Sequence, residues 1–217
     1  MKNKVFIMVL SVIVLIGIGL FIFLIVKKEN TDAKKFKREY ELLNNKVSVD
    51  NEKYINVSVD KENPIVYVDA SDIVSMIENN ESFVVYFGYS KSNKCRGIIE
   101  DLLKAAKDSK LEKLYYVDIE NIRDELVINV AGEFETIYAG TDAYYELLKL
   151  LNNVLNDYEL TNSKGKKVSN EKRIFEPSII SIVNGNAVEL TDGSNDAHKN
   201  IKDVISIVAN NSCNEAC

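Results

Sequence analysis

Three cysteines, one histidine and a serine three residues ahead of a cysteine are the groups in this 217-residue chain whose type and spacing bear on chemistry. His198 with Cys95, Cys213 and Cys217 supplies too few soft ligands for a zinc cluster. Neither a metal nor a cofactor is therefore expected. Cys213 and Cys217 stand four residues apart in a terminal tail. Such a pair can bend to the Cα separation of roughly 4.4 to 6.8 Å that a disulfide requires. The tail thus reads as a structural staple, or as a thiol pair that exchanges with Cys95. Cys95 falls in the first turn of a helix predicted from the pattern of residues 90–110. The helix N-terminus and Lys94 favour a thiolate there, and the same position suits a small buried hydrophobe. Ser90 or Ser92 caps that helix. No Gly-x-Ser-x-Gly elbow accompanies Ser, His and Asp, so a hydrolase triad has no support, and His198 reads as a solvated residue at the start of the last helix. No glycine-rich phosphate loop is present. Arg173 and Asp118 are candidates for an ion pair or for lining a groove.

Before any of these groups comes an apolar run. Residues 5–26, VFIMVLSVIVLIGIGLFIFLIV, hold no charge, and about 20 such residues span a bilayer as a helix. A cleavable signal would be shorter and end in small residues, whereas this run ends in Phe23, Leu24, Ile25 and Val26. The expectation is one uncleaved transmembrane helix and a single-pass protein of the cell membrane. Basic residues mark the cytoplasmic flank, and Lys27, Lys28, Lys34, Lys35, Lys37 and Arg38 outnumber Lys2 and Lys4. The tail cysteines point the other way, because disulfides persist outside. The soluble part is expected outside the cell membrane.

The whole chain, 46% hydrophobic with two prolines, has a composition that fits a globular domain rather than a disordered or low-complexity chain. A net charge of −6 argues against a nucleic-acid partner, which calls for a basic face. The organisation reads as an N-terminal flank (1–4), the span (5–26), a tether and extension (27–62), an α/β domain (63–210) and a cysteine-containing tail (211–217). In the extension a short helical stretch precedes alternating Val47, Val49, Ile55, Val57 and Val59. Within the domain, IVYVDA (65–70), SFVVYFGY (82–89) and LEKLYYVDIEN (111–121) read as strands, the last two joined by the 90–110 helix in a β-α-β unit. A helix capped by Ser71 or Asp72 separates the first two. An insertion over about 122–172 carries a helix at Asp142–Tyr158 and a hairpin turning near Lys164 and Gly165. Pro177 precedes two strands joined by Asn184-Gly185-Asn186, a hairpin signal, and a helix over about 196–210 closes the chain.

This order, with a motif at the helix following the second strand and a proline before the last hairpin, is similar to thioredoxin. FVVYFGYSKSNKCR (83–96) resembles the strand and active-site turn of membrane-anchored bacterial thioredoxin-like proteins, and EPSIISIVNG (176–185) resembles their cis-proline segment. EYELLN (39–44), NPIVYVDA (63–70), YYVDIENIRD (115–124) and NEKRIFEP (170–177) resemble one subgroup of them. The resemblance implies a three-layer α/β/α thioredoxin-like fold with a helix-plus-hairpin insertion, a cis peptide after Glu176, and a peptide-binding groove. It also exposes a departure. Ser92 stands where the family has its attacking cysteine, and only the second, Cys95, remains. A serine hydroxyl forms no disulfide, so dithiol exchange at this turn is not expected. Tyr86 stands where soluble thioredoxins carry a buried Asp that helps deprotonate the second cysteine. Two readings stay open. One is a chaperone-like module binding protein or peptide clients along Ser92, Asn93, Lys94, Glu176 and Pro177. The other is a monothiol redox enzyme using Cys95, with Cys213 and Cys217 as resolving thiols.

Overall fold

The computed structural model describes residues 31–161 and 167–214. The expected transmembrane helix at 5–26, the hairpin tip near Lys164 and Gly165, and Cys217 lie outside the described residues. No described helix is long and apolar enough to cross a membrane.

Hydrophobic alternation explains the centre of the molecule. β2 (Phe83–Gly88) is buried along its whole length. Val84 and Tyr86 enter one core, while Phe83, Val85 and Phe87 enter another, as the two-residue period of a strand covered on both faces dictates. β2 pairs in parallel with β3 (Leu114–Asp118), which pairs in parallel with β1 (Ile65–Tyr67). On its other side β2 meets β8 (Ser178–Val183) antiparallel, and β8 meets β9 (Asn186–Thr191) antiparallel. The result is a mixed five-stranded sheet of order β1-β3-β2-β8-β9. Asn184 and Gly185 both adopt positive φ at the β8–β9 turn, 48° and 72°, the geometry of a two-residue hairpin loop.

Among the described residues, five helices cover the sheet. α1 (Thr31–Glu41), α3 (Asn93–Asp108) and α5 (Ala197–Asn214) supply the first core through Phe36, Tyr40, Ile99, Leu102, Ile201 and Ile205. α2 (Ala70–Glu78) and α4 (Asp142–Leu150) supply the second through Ile73, Ile77, Tyr144 and Leu147. Phe36 and Tyr40 are fully buried, so α1, in the expected tether, packs into the same core as α3 and α5.

Several boundaries differ from the sequence reading. β1 and β3 are shorter than the apolar runs containing them. α2 is capped by Asp69, whose side chain and Asp72 form a reciprocal capping box, not by Ser71 or Asp72. α4 ends at Leu150, and residues from Asn156 belong to β6 (Asn156–Thr161), paired with β7 (Lys167–Arg173). Leu151 and Leu155 are still buried, so apolar spacing continues past the helix through a turn. The insertion also holds a hairpin absent from the sequence reading, β4 (Glu125–Ile128) with β5 (Phe134–Tyr138). Asn129 Oδ1 accepts from the Ala131 and Glu133 amides at its turn. In the extension, Val47, Val49 and Ile55 are exposed while Val57 and Val59 are buried. Only an isolated Val47–Lys53 bridge forms there, so the alternation does not build strands.

Candidate functional site

Where β2 ends, the chain turns through Tyr89–Ser92 into α3. Ser92 is the cap: its Oγ accepts from the Cys95 amide at 3.3 Å, satisfying one of the free N–H groups of the first turn. β8 begins at Ser178, the partner of Phe87 in the sheet. The preceding Glu176–Pro177 bond is cis, and it leaves the sheet at the same end as the Tyr89–Ser92 turn. The two segments are tied together. Tyr89 Oη donates to Glu176 Oε1 at 3.2 Å, Arg123 pairs with the same carboxylate, and the Arg123 guanidinium lies 5.6 Å from the Tyr89 ring centroid. Burial and the Glu176 charge push the Tyr89 hydroxyl up to about 12.

Cys95 is a free thiol with no exposed surface. Burial pushes its pKa up, against hydrogen bonds from the Tyr86 hydroxyl, the Tyr89 amide and the Ser92 hydroxyl, which favour the thiolate. Burial wins, so the sulfur is a neutral thiol at neutral pH. Tyr86 fills the space above it and links it to α1, its hydroxyl 2.9 Å from that of Tyr40. The Tyr86 ring stacks on Tyr116 at 5.3 Å. Gly88 leaves room for this arrangement, since a Cβ there would lie 2.5 Å from the Tyr86 hydroxyl. Gly88→Ala is expected to force Tyr86 off Cys95 at a cost of about 1–3 kcal/mol, read as a lower urea midpoint with faster native-state alkylation of Cys95. Unchanged stability and alkylation together would show that Tyr86 does not shield the sulfur.

Arg96 follows Cys95 and is 1% exposed. Among the described residues no carboxylate pairs with it. Its guanidinium donates to the carbonyls of Ile55 (2.6 Å), Tyr40 (2.7 Å) and Ser90 (3.2 Å) and to Asn44 Oδ1 (2.8 Å), and burial lowers its pKa. Asn93 supports the same joint: its Oδ1 accepts from the Ile55 amide at 2.9 Å and its Nδ2 donates to the Lys53 carbonyl at 3.0 Å. The extension is thereby bound across the start of α3.

The structure thus brings Ser92, Asn93, Lys94, Cys95, Glu176 and Pro177 to one end of the sheet. Lys94 is exposed, Glu176 partly exposed, and Ser92, Cys95 and Pro177 buried, while the Asn93 side chain is engaged by the extension. Cys213 lies in the last turn of α5, and its pairing with Cys217 falls outside the described residues. Arg173 does not pair with Asp118. It meets Asp124, with Nη2 2.5 Å from Oδ1 and both side chains under 10% exposed, because β7 runs back beside the segment leading into β4. Asp118, at the end of β3, has its pKa raised, first by burial. His198 lies 3.0 Å from Asp108 Oδ2. Among the described residues, no group of three or more His, Cys, Asp or Glu is placed to hold a metal ion. The sequence reading missed Arg96, Tyr40, Tyr89 and Arg123; of these only Arg96 carried a signal, a charge on the inward side of α3 beside Cys95. No protein-family model matches the chain, and no curated protein matches it.

Proposed function

We propose that this chain is a membrane-anchored, thioredoxin-like module that binds extended protein or peptide clients at the Ser92 turn and the Glu176–Pro177 segment, without dithiol exchange. Support for the thioredoxin-like reading comes from the sheet order, the antiparallel β8–β9 hairpin, the cis bond before β8, and a capped helix carrying Cys95 in its first turn. The observation that carries the functional reading is the fully buried, neutral Cys95 beneath Tyr86, beside a serine where an attacking thiol would stand. Thiol exchange requires an accessible thiolate. A monothiol reading needs the Cys95 sulfur at the surface, and its burial favours the binding module.

Ser92→Cys tests the assignment of the turn. The new thiol would occupy an N-cap, where the helix N-terminus lowers its pKa. Insulin reduction in the presence of dithiothreitol is expected to rise from background in the native chain to a clear catalysed rate in the variant. No gain, despite a disulfide between the new thiol and Cys95, would remove the thioredoxin-like reading of this turn.

A further inference from the structure

α1 has two faces. Ala33, Phe36 and Tyr40 are buried on one, while Lys34, Arg38 and Leu42 follow one another at four-residue spacing on the other, which aligns them along the helix and its final turn. Leu42 is 62% exposed. These three side chains, with Lys37, Glu41 and Lys61, line an open depression of about 470 Å³. Lys37 is engaged by Glu41 at 2.5 Å. Lys34, Arg38 and Lys61 make no side-chain ion pair or hydrogen bond among the described residues. Unpaired basic side chains gathered around an exposed leucine are a local exception in a chain of net charge −6, which as a whole an anionic surface would repel.

The position of this patch in the chain identifies its occupant. The uncharged run ends at Val26 and α1 begins at Thr31. Five Cα steps reach at most roughly 17 Å, so α1 cannot lie far from the place where the run leaves a bilayer. We infer that Lys34, Arg38 and Lys61 bind the phosphates of an anionic phospholipid surface while Leu42 enters its interfacial layer, laying the outer face of α1 on the membrane. This inference rests on reading residues 5–26 as a membrane anchor. It sets the orientation of the domain on the bilayer.

The chain contains no tryptophan, so Leu42→Trp gives a single reporter. The full chain is placed in nanodiscs of phosphatidylcholine alone, or with one-third phosphatidylglycerol, each doped with brominated phosphatidylcholine as quencher. The expected result is indole quenching with phosphatidylglycerol, little with phosphatidylcholine alone, and release in 1 M salt, where the Debye length falls to roughly 3 Å. Lys34→Glu, Arg38→Glu and Lys61→Glu should each lower the docked-to-free ratio on the order of fivefold or more. Val188→Trp, at an exposed site on β9, should show no bromine quenching. Equal quenching in both lipid mixtures, or none in either, overturns the inference. So does an indole shielded from acrylamide only at high protein density, which would assign the patch to a second copy of the chain. Failure of the full chain to enter discs removes the anchor reading and this inference with it, leaving the proposed client site untouched.

Discussion

Raising the pH above 10 is expected to unfold this protein in a single steep transition. Tyr40 and Tyr86 are completely buried, and burial is the first cause holding both phenols well above the ordinary value of 10.0; Tyr116 is raised by the same cause. In the unfolded chain these phenols ionise near 10. Between that value and their folded ones the native state holds more protons, so stability falls as pH rises. Each group contributes a slope of about 1.4 kcal/mol per pH unit, and three together about 4. Two pH units then remove about 8 kcal/mol, comparable to the whole stability of a typical domain. Cys95, whose thiol is also raised by burial from 9.0, starts the decline about one unit earlier. Urea midpoints between pH 8 and 11.5, with absorbance at 295 nm following phenolate, are expected to show ionisation and unfolding together. A midpoint that stays constant to pH 11.5 would mean that these hydroxyls titrate in the folded protein.

Arg96→Met is expected to cost about 3–4 kcal/mol. Four hydrogen bonds from a charged donor are lost; the Tyr40 carbonyl is left without its partner in the core, and those of Ile55 and Ser90 at part-buried positions, a buried unsatisfied group costing about 1–3 kcal/mol and a partly solvated one less. Release of a desolvated charge offsets part of this. Arg96→Lys should not rescue it, because one ammonium cannot reach acceptors spread around a planar guanidinium. The effect has a local signature: amide exchange at Ile55 and Val57, which are held by Asn93 and Asn44, should rise more than exchange in β2. A loss under 1 kcal/mol with unchanged exchange would show that Arg96 does not hold the extension.

These two predictions rest on contacts that the sequence hides. β2, α3 with its Ser92 cap and the Asn184–Gly185 hairpin were legible, because each depends on residues close in sequence whose periodicity or turn chemistry is distinctive; the cis peptide after Glu176 was expected from the resemblance alone. Tyr40 meets Tyr86 across 46 residues and Arg96 meets Asn44 across 52, and no local pattern encodes either. Tyr86 read as the loss of a buried acid, and nothing near it in sequence pointed to the Tyr40 hydroxyl that it meets in the core. The β4–β5 hairpin escaped because ELVI and FETIY sit inside a long connection, although the Gly132 turn, at φ 87°, was the available signal. The α4 boundary failed for the opposite reason: Leu151, Val154 and Leu155 keep helical spacing after the helix has stopped.

The client site is tested most directly by a photo-crosslinking side chain at the exposed Lys94, in the otherwise native full chain and in the same chain carrying Cys95→Ala. Both are irradiated in cells with their membranes intact, and adducts are separated with and without reductant. The binding-module account predicts the same adducts in both chains, resistant to reductant. Adducts that vanish with Cys95→Ala or dissolve in reductant would contradict it in favour of monothiol exchange, and no adduct in either chain would contradict a client site at this turn.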